Sequence, residues 1–89
     1  MEIPVRDNRQ LAAALRRFRR ELRHMTQSDL AEAAVTRQAT ISNAENPRSN
    51  MDIDTLFRLL AALNLELVVQ PRSAAREDWV ERIDWSVLP

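Results

Sequence analysis

Arg37, Gln38 and Ser42 fall close together in the run RQATISN, and their chemistry suits the edge of a nucleic-acid base. An amide side chain donates and accepts at once, so Gln38 matches the paired donor and acceptor on the major-groove edge of adenine. Arg37 carries a fork of donors that fits guanine or a phosphate. Groups of this kind held outside near a helix N-terminus point to hydrogen bonding in a DNA major groove. Gln27 and Ser28 stand at the start of the preceding helix. Free backbone N–H groups and the helix dipole there favour a phosphate.

Two short helices must position these residues. Thr26 followed three residues later by Asp29 is a capping-box signal, with an acidic side chain reaching back to the cap. Leu30, Ala31 and Ala34 recur at helical spacing and give the first of the two helices one apolar face. Thr36 is placed to cap the second helix, and Ala39 and Ile41 are expected to bury against the first. Two such helices joined by a tight turn make a helix-turn-helix.

Thr26–Ala31 (TQSDLA) and Ile41–Asn46 (ISNAEN), at their fixed separation, resemble the Cro/repressor (XRE) type of helix-turn-helix. More narrowly, TQSDLA, the run QATISN and Glu45-Asn46-Pro47 resemble HipB-type antitoxins, the DNA-binding partners of HipA-type kinase toxins. The resemblance implies base contacts from Arg37, Gln38, Ala39 and Ser42, with Ala39 against a thymine methyl. Asn43 and Asn46 join Gln27 and Ser28 as weaker phosphate candidates, Thr40 is expected to pack or support the helix, and Glu45 to be structural, for example by pairing with an arginine of the first helix. The sequence departs from the family pattern in the turn, with Val35 where glycine is usual and Thr36 where an apolar residue is usual. A β-branched residue tolerates positive φ badly, so this turn is either built differently or strained.

Upstream, Asp7 with Gln10 starts a long helix whose apolar face is Leu11, Leu15, Phe18, Leu22 and Met25. Arg16, Arg17, Arg19, Arg20 and Arg23 cover much of the rest. They read as a solvated face, with one or two near the helix end available to phosphates. Downstream, Pro47 stops the recognition helix. In a chain without glycine, Asn46, Asn50 and Asn64 are the candidates for left-handed backbone. Asp52 with Thr55, or else Asp54, opens a fourth helix with Ile53, Leu56, Phe57, Leu60 and Leu63 as its buried stripe.

Leu65 to Gln70 alternates and is β-branched, the pattern of a strand; a peripheral helix-turn is the competing reading. A lone strand leaves its backbone groups unpaired, so it needs a partner edge. The economical partner is the same strand in a second copy, with Leu65, Leu67, Val68 and Val69 at the contact. The resemblance implies a similar intermolecular sheet. Residues 73–89 form an acidic tail holding Trp79, Ile83 and Trp85. These side chains either fold back on the dimer or anchor a linear motif in a partner. The resemblance implies that the partner is a HipA-like kinase toxin.

Composition bounds the alternatives. Eighty-nine residues make one small domain with a modest core, for which oligomerisation is a common source of stability. Formal charge is zero but unevenly spread. Residues 1–50 hold nine arginines against six acids, and residues 73–89 two against four. There is no cysteine, and the single histidine, His24, has no second His or Cys to share a metal, so it reads as a solvated helix-end residue. No converging Ser/His/Asp set or glycine-rich phosphate loop points to an enzyme. No apolar run reaches the length of a membrane span.

The expected fold is mainly α. A four-helix XRE-type helix-turn-helix domain is followed by one β-strand pairing across a homodimer; residues 1–72 bind DNA and dimerise, and 73–89 form a partner-binding tail. The expected function is a transcriptional repressor on a palindromic operator, acting as the antitoxin of a HipA/HipB-like type II system. No cofactor, metal or catalytic residue is expected, and the location is cytoplasmic, nucleoid-associated when on DNA. The alternative is a stand-alone XRE-family regulator without a toxin partner.

Overall fold

The computed structural model describes residues 2–72, and all its regular elements are helical. Helix α1 spans Asn8–Arg17, α2 Gln27–Ala33, α3 Gln38–Ala44 and α4 Ile53–Ala62; a π-helical turn, Phe18–Leu22, continues α1. Short-range chemistry fixes most of the starts. Asp7 caps α1 by accepting from the Gln10 N–H (2.8 Å), and Asp52 caps α4 by accepting from the Thr55 N–H (2.7 Å). At α2 the capping box is complete: Asp29 N–H donates to Thr26 Oγ1 (3.0 Å) and Thr26 N–H to Asp29 Oδ2 (2.9 Å). The reciprocal pair satisfies two of the donors that a helix start leaves free.

Thr36 does not cap α3, contrary to expectation. Its N–H donates to the Ala31 carbonyl (2.9 Å), while Val35 N–H reaches Glu32 (3.1 Å). These two bonds close a Schellman motif at the end of α2, with Val35 in the left-handed position. Arg37 becomes the N-cap of α3 and makes no side-chain cap bond. The end of α4 repeats the motif, with Asn64 N–H on Ala61 (3.0 Å) and Leu65 N–H on Leu60 (2.8 Å). His24, Val35 and Asn64 carry φ of 53, 54 and 56°, each just past a helix end. Of the three asparagines expected to be left-handed only Asn64 is; Asn46 and Asn50 are not. Asn46 instead turns its side chain onto the Arg48 N–H (3.0 Å).

The core gathers Leu15, Leu30, Ala31, Ala34, Ile41, Ala44, Leu56, Leu59, Leu60 and Leu63, with Leu11, Met25, Met51 and Leu65 packed against it. Two expected faces are shifted. On the first helix Leu22 is exposed, Phe18 is half-buried and Arg19 is buried. The π-turn supplies the reason, because its i→i+5 bond, Arg23 N–H to Phe18 O (3.0 Å), widens the helix and rotates the residues beyond it. On α4 the buried stripe is Leu56, Leu59, Leu60 and Leu63, whereas Ile53 and Phe57 lie 63% and 50% exposed. Seven of the ten residues of that helix are apolar, more than one face can bury, and packing against α2 decides which go in. Residues 65–72, where a strand is expected, carry no regular secondary structure in the single chain.

Candidate nucleic-acid interface

The α2–α3 pair presents one polar surface. Ile41 and Ala44 bury the back of α3, and the opposite side leaves Arg37, Gln38, Ala39, Ser42 and Asn43 exposed. Ala39 is therefore outside the core, against the expectation that it buries with Ile41; a small apolar side chain is left among the polar candidates. Thr40 is half-buried. Ser28 is exposed in the first turn of α2, and Asn46 is exposed beyond α3.

The aim of this surface is set from behind by a buried ion pair. Arg19, on the π-turn, donates through Nε and Nη2 to Glu45 at 2.6 and 2.9 Å, and through Nη1 to the Met25 carbonyl at 2.8 Å. The two side chains are 8% and 5% exposed, so both charges have left water and depend on one another. The hydrogen bonds that Arg19 donates to Glu45 raise the Arg19 pKa above its usual value, against the downward push of burial. Glu45 caps the end of α3 and also accepts from Gln27 Nε2 (3.3 Å). One carboxylate thus ties the first helix, the start of α2 and the end of α3 together. The expectation of a structural Glu45 paired with a first-helix arginine is met, whereas the tie to Gln27 had no sequence signal.

The other arginines of the first helix divide by partner. Arg17 pairs with Glu21 at 2.8 Å on the surface. Arg23 donates to the carbonyls of Leu63 (2.7 Å) and Asn64 (3.4 Å), capping α4 with a cation where the helix dipole favours one. Among the dimerisation candidates Leu65 packs on the core, and Leu67, Val68 and Val69 are 49, 66 and 91% exposed. Trp79, Ile83 and Trp85 lie outside the described residues.

The helix-turn-helix family model matches residues 9–70, a span that contains this whole surface. Antitoxin HipB of Escherichia coli O6:H1 (strain CFT073) is 36% identical over 75 residues, which cover 84% of this chain and 79% of that protein. The chain belongs to the HipB antitoxin family. Solved HipB structures superpose on this HipB-type fold. One is a HipB variant in complex with an O2 20mer, at 32% identity and a TM-score of 0.73 over 82% of this chain and 100% of that one. Another is a HipA-HipB-O2-O3 complex, at 34% identity and a TM-score of 0.70 over 79% of this chain and 97% of that one. Among the described residues no helix is long and apolar enough to cross a membrane.

Proposed function

We propose that this HipB-type chain is a homodimeric repressor that binds a palindromic operator and, as the antitoxin of a HipA/HipB-like type II system, holds a HipA-like Ser/Thr kinase toxin. The observation that carries the DNA half is the split of α3 into a back buried at Ile41 and Ala44 and an exposed face of Arg37, Gln38, Ala39 and Ser42. In the groove, Gln38 pairs with adenine, Arg37 with guanine or a phosphate, and Ala39 meets a thymine methyl. Gln27 and Ser28 at α2, with Asn43 and Asn46 behind them, contact the backbone and set register without reading sequence.

The dimer reading is supported by what one chain leaves uncovered. Val68 and Val69 stand in solvent and, among the described residues, their backbone groups have no partners, and Ile53 and Phe57 share the outer side of α4. Pairing the strand Leu65–Gln70 with its two-fold copy satisfies those backbone groups and covers Leu67 and Val69 or Val68, according to the face. The toxin half is supported by a solved HipB structure that includes HipA and by the two tryptophans of the 73–89 tail.

The test is co-purification of tagged full-length protein beside a 1–72 truncation from the native host, read by mass spectrometry. A stoichiometric kinase of HipA type held by the full chain and lost on truncation is the expected result. Operator DNA without a protein partner in both samples would instead make the chain a stand-alone XRE-family regulator. Replacing Gln38 by alanine should cost about 1–3 kcal/mol per half-site contact and relax the operator preference. An unchanged preference removes Gln38 from the base-reading set.

A further inference from the structure

Beside Gln38 lies a cleft of about 520 Å³ that the base and phosphate candidates do not fill. Its lining joins Arg20 and His24 to Thr26, Gln27 and Gln38, with Arg19 in the wall. We propose that Arg20 and His24 make this cleft a seat for one phosphodiester of the bound duplex, flanking the recognition helix. The proposal rests on the DNA-binding reading above and adds two residues to it.

The charge of the cleft decides what fits. The cation of Arg19 is offset by Glu45, and its three nitrogens are committed to Glu45 and Met25. Gln27 spends an amide hydrogen on Glu45 as well. What remains is Arg20 and His24, both exposed and, among the described residues, without an ion pair or a hydrogen bond. Among the described residues, no carboxylate lines the cleft. The neighbouring Arg17 and Arg23 have partners in Glu21 and the Leu63 carbonyl, whereas Arg20 has none among the described residues.

Backbone geometry brings the two residues there. Arg20 sits on the π-turn, and His24 takes a left-handed φ of 53°, a position where a non-glycine residue is disfavoured. The cleft is shallow and open to solvent, so a phosphate on the outside of a duplex can reach it. Gln38 shares the cleft, so an anion seated in it lies at the edge of the helix that reads bases. A phosphate contact there fixes the register of α3 on the duplex and carries no sequence information.

The test is the salt dependence of binding by full-length protein to a duplex selected from a random pool and to an unrelated duplex. Each lost phosphate contact flattens the slope of log affinity against log salt by about 0.9, so Arg20→Gln flattens the dimer's slope by about 1.8 on both duplexes. Arg20→Lys keeps the slope, and so does Arg16→Gln, which removes an exposed arginine of the same helix outside the cleft. His24→Ala weakens binding to both duplexes alike and leaves their ratio unchanged.

An unchanged slope in Arg20→Gln, or an equal loss in Arg16→Gln, overturns the seat. So does a changed ratio between the two duplexes, which would make Arg20 a base reader. A rise in melting temperature with inorganic phosphate at fixed ionic strength, lost in Arg20→Gln, would assign the cleft to a free anion and also overturn it. If the wild-type protein enriches no duplex, the DNA-binding reading itself fails, an outcome distinct from these.

Discussion

The Arg19–Glu45 pair shows how much one contact decides here. Two charges are withdrawn from water, and the cost is met only because the fork-to-carboxylate geometry is bidentate and the spare groups reach Met25 and Gln27. Glu45→Ala leaves the guanidinium buried and unpaired, and a loss of about 3–5 kcal/mol in urea denaturation is expected. Pairing Arg19→Met with Glu45→Leu should recover most of that loss; failure to recover would mean that the pair supplies stability no apolar substitute can. Val35 is the opposite case, a residue whose type opposes its place. It holds φ at 54° with an 84% exposed side chain, so burial offsets none of the strain. Val35→Gly should raise stability by about 1 kcal/mol on thermal melting, the relief of left-handed strain exceeding the extra freedom of glycine in the unfolded chain. An unchanged or lower melting temperature contradicts this. In the sequence the conflict at Val35 is visible, because the family pattern carries glycine there. That His24 is left-handed is not visible, since nothing local distinguishes it from the arginines around it.

Elements are legible where their signals are local. Asp7, Asp52 and the Thr26–Asp29 box all cap helices as their spacing implies, because a cap needs only neighbours in the chain. The same locality makes these caps titrate. Backbone hydrogen bonds from Thr26 and Thr55 lower the pKa values of Asp29 and Asp52 below the usual aspartate range. A lowered folded pKa gives stability that is present above the unfolded value, near 3.9, and lost as pH falls through the folded one. Asp52→Asn keeps a capping oxygen and cannot titrate there, so its stability should fall less steeply than wild type below about pH 4. Parallel acid-unfolding curves for the two proteins would contradict the assignment. What local signals miss is set by packing. The apolar residues of α4 are too many for one face, and contact with α2 buries Leu59 in preference to Ile53 and Phe57. The π-turn has no signature in FRREL, yet it moves Arg19 inward and Leu22 out.

At the scale of the whole molecule, the single chain is unfinished. Its exposed α2–α3 surface is held from behind by an ion pair, while Val68, Val69, Ile53 and Phe57 remain in solvent. A pattern of alternating β-branched residues is readable in the sequence, but a strand needs a partner edge, and residues 65–72 of the single chain carry no regular secondary structure. Val68→Pro removes a backbone donor from the proposed sheet and should weaken dimerisation at least about tenfold, or 1.4 kcal/mol, in sedimentation equilibrium. A dimer of undiminished affinity places the interface elsewhere. The most direct test of the central proposal is a hydroxyl-radical footprint of the full-length protein on a duplex it has itself selected from a random pool. Two symmetric protected half-sites, centred about 34–36 Å apart, are the predicted result for a two-fold dimer with α3 in successive major grooves. A single unsymmetric footprint, or protection that Gln38→Ala leaves at full strength and unchanged preference, would contradict it.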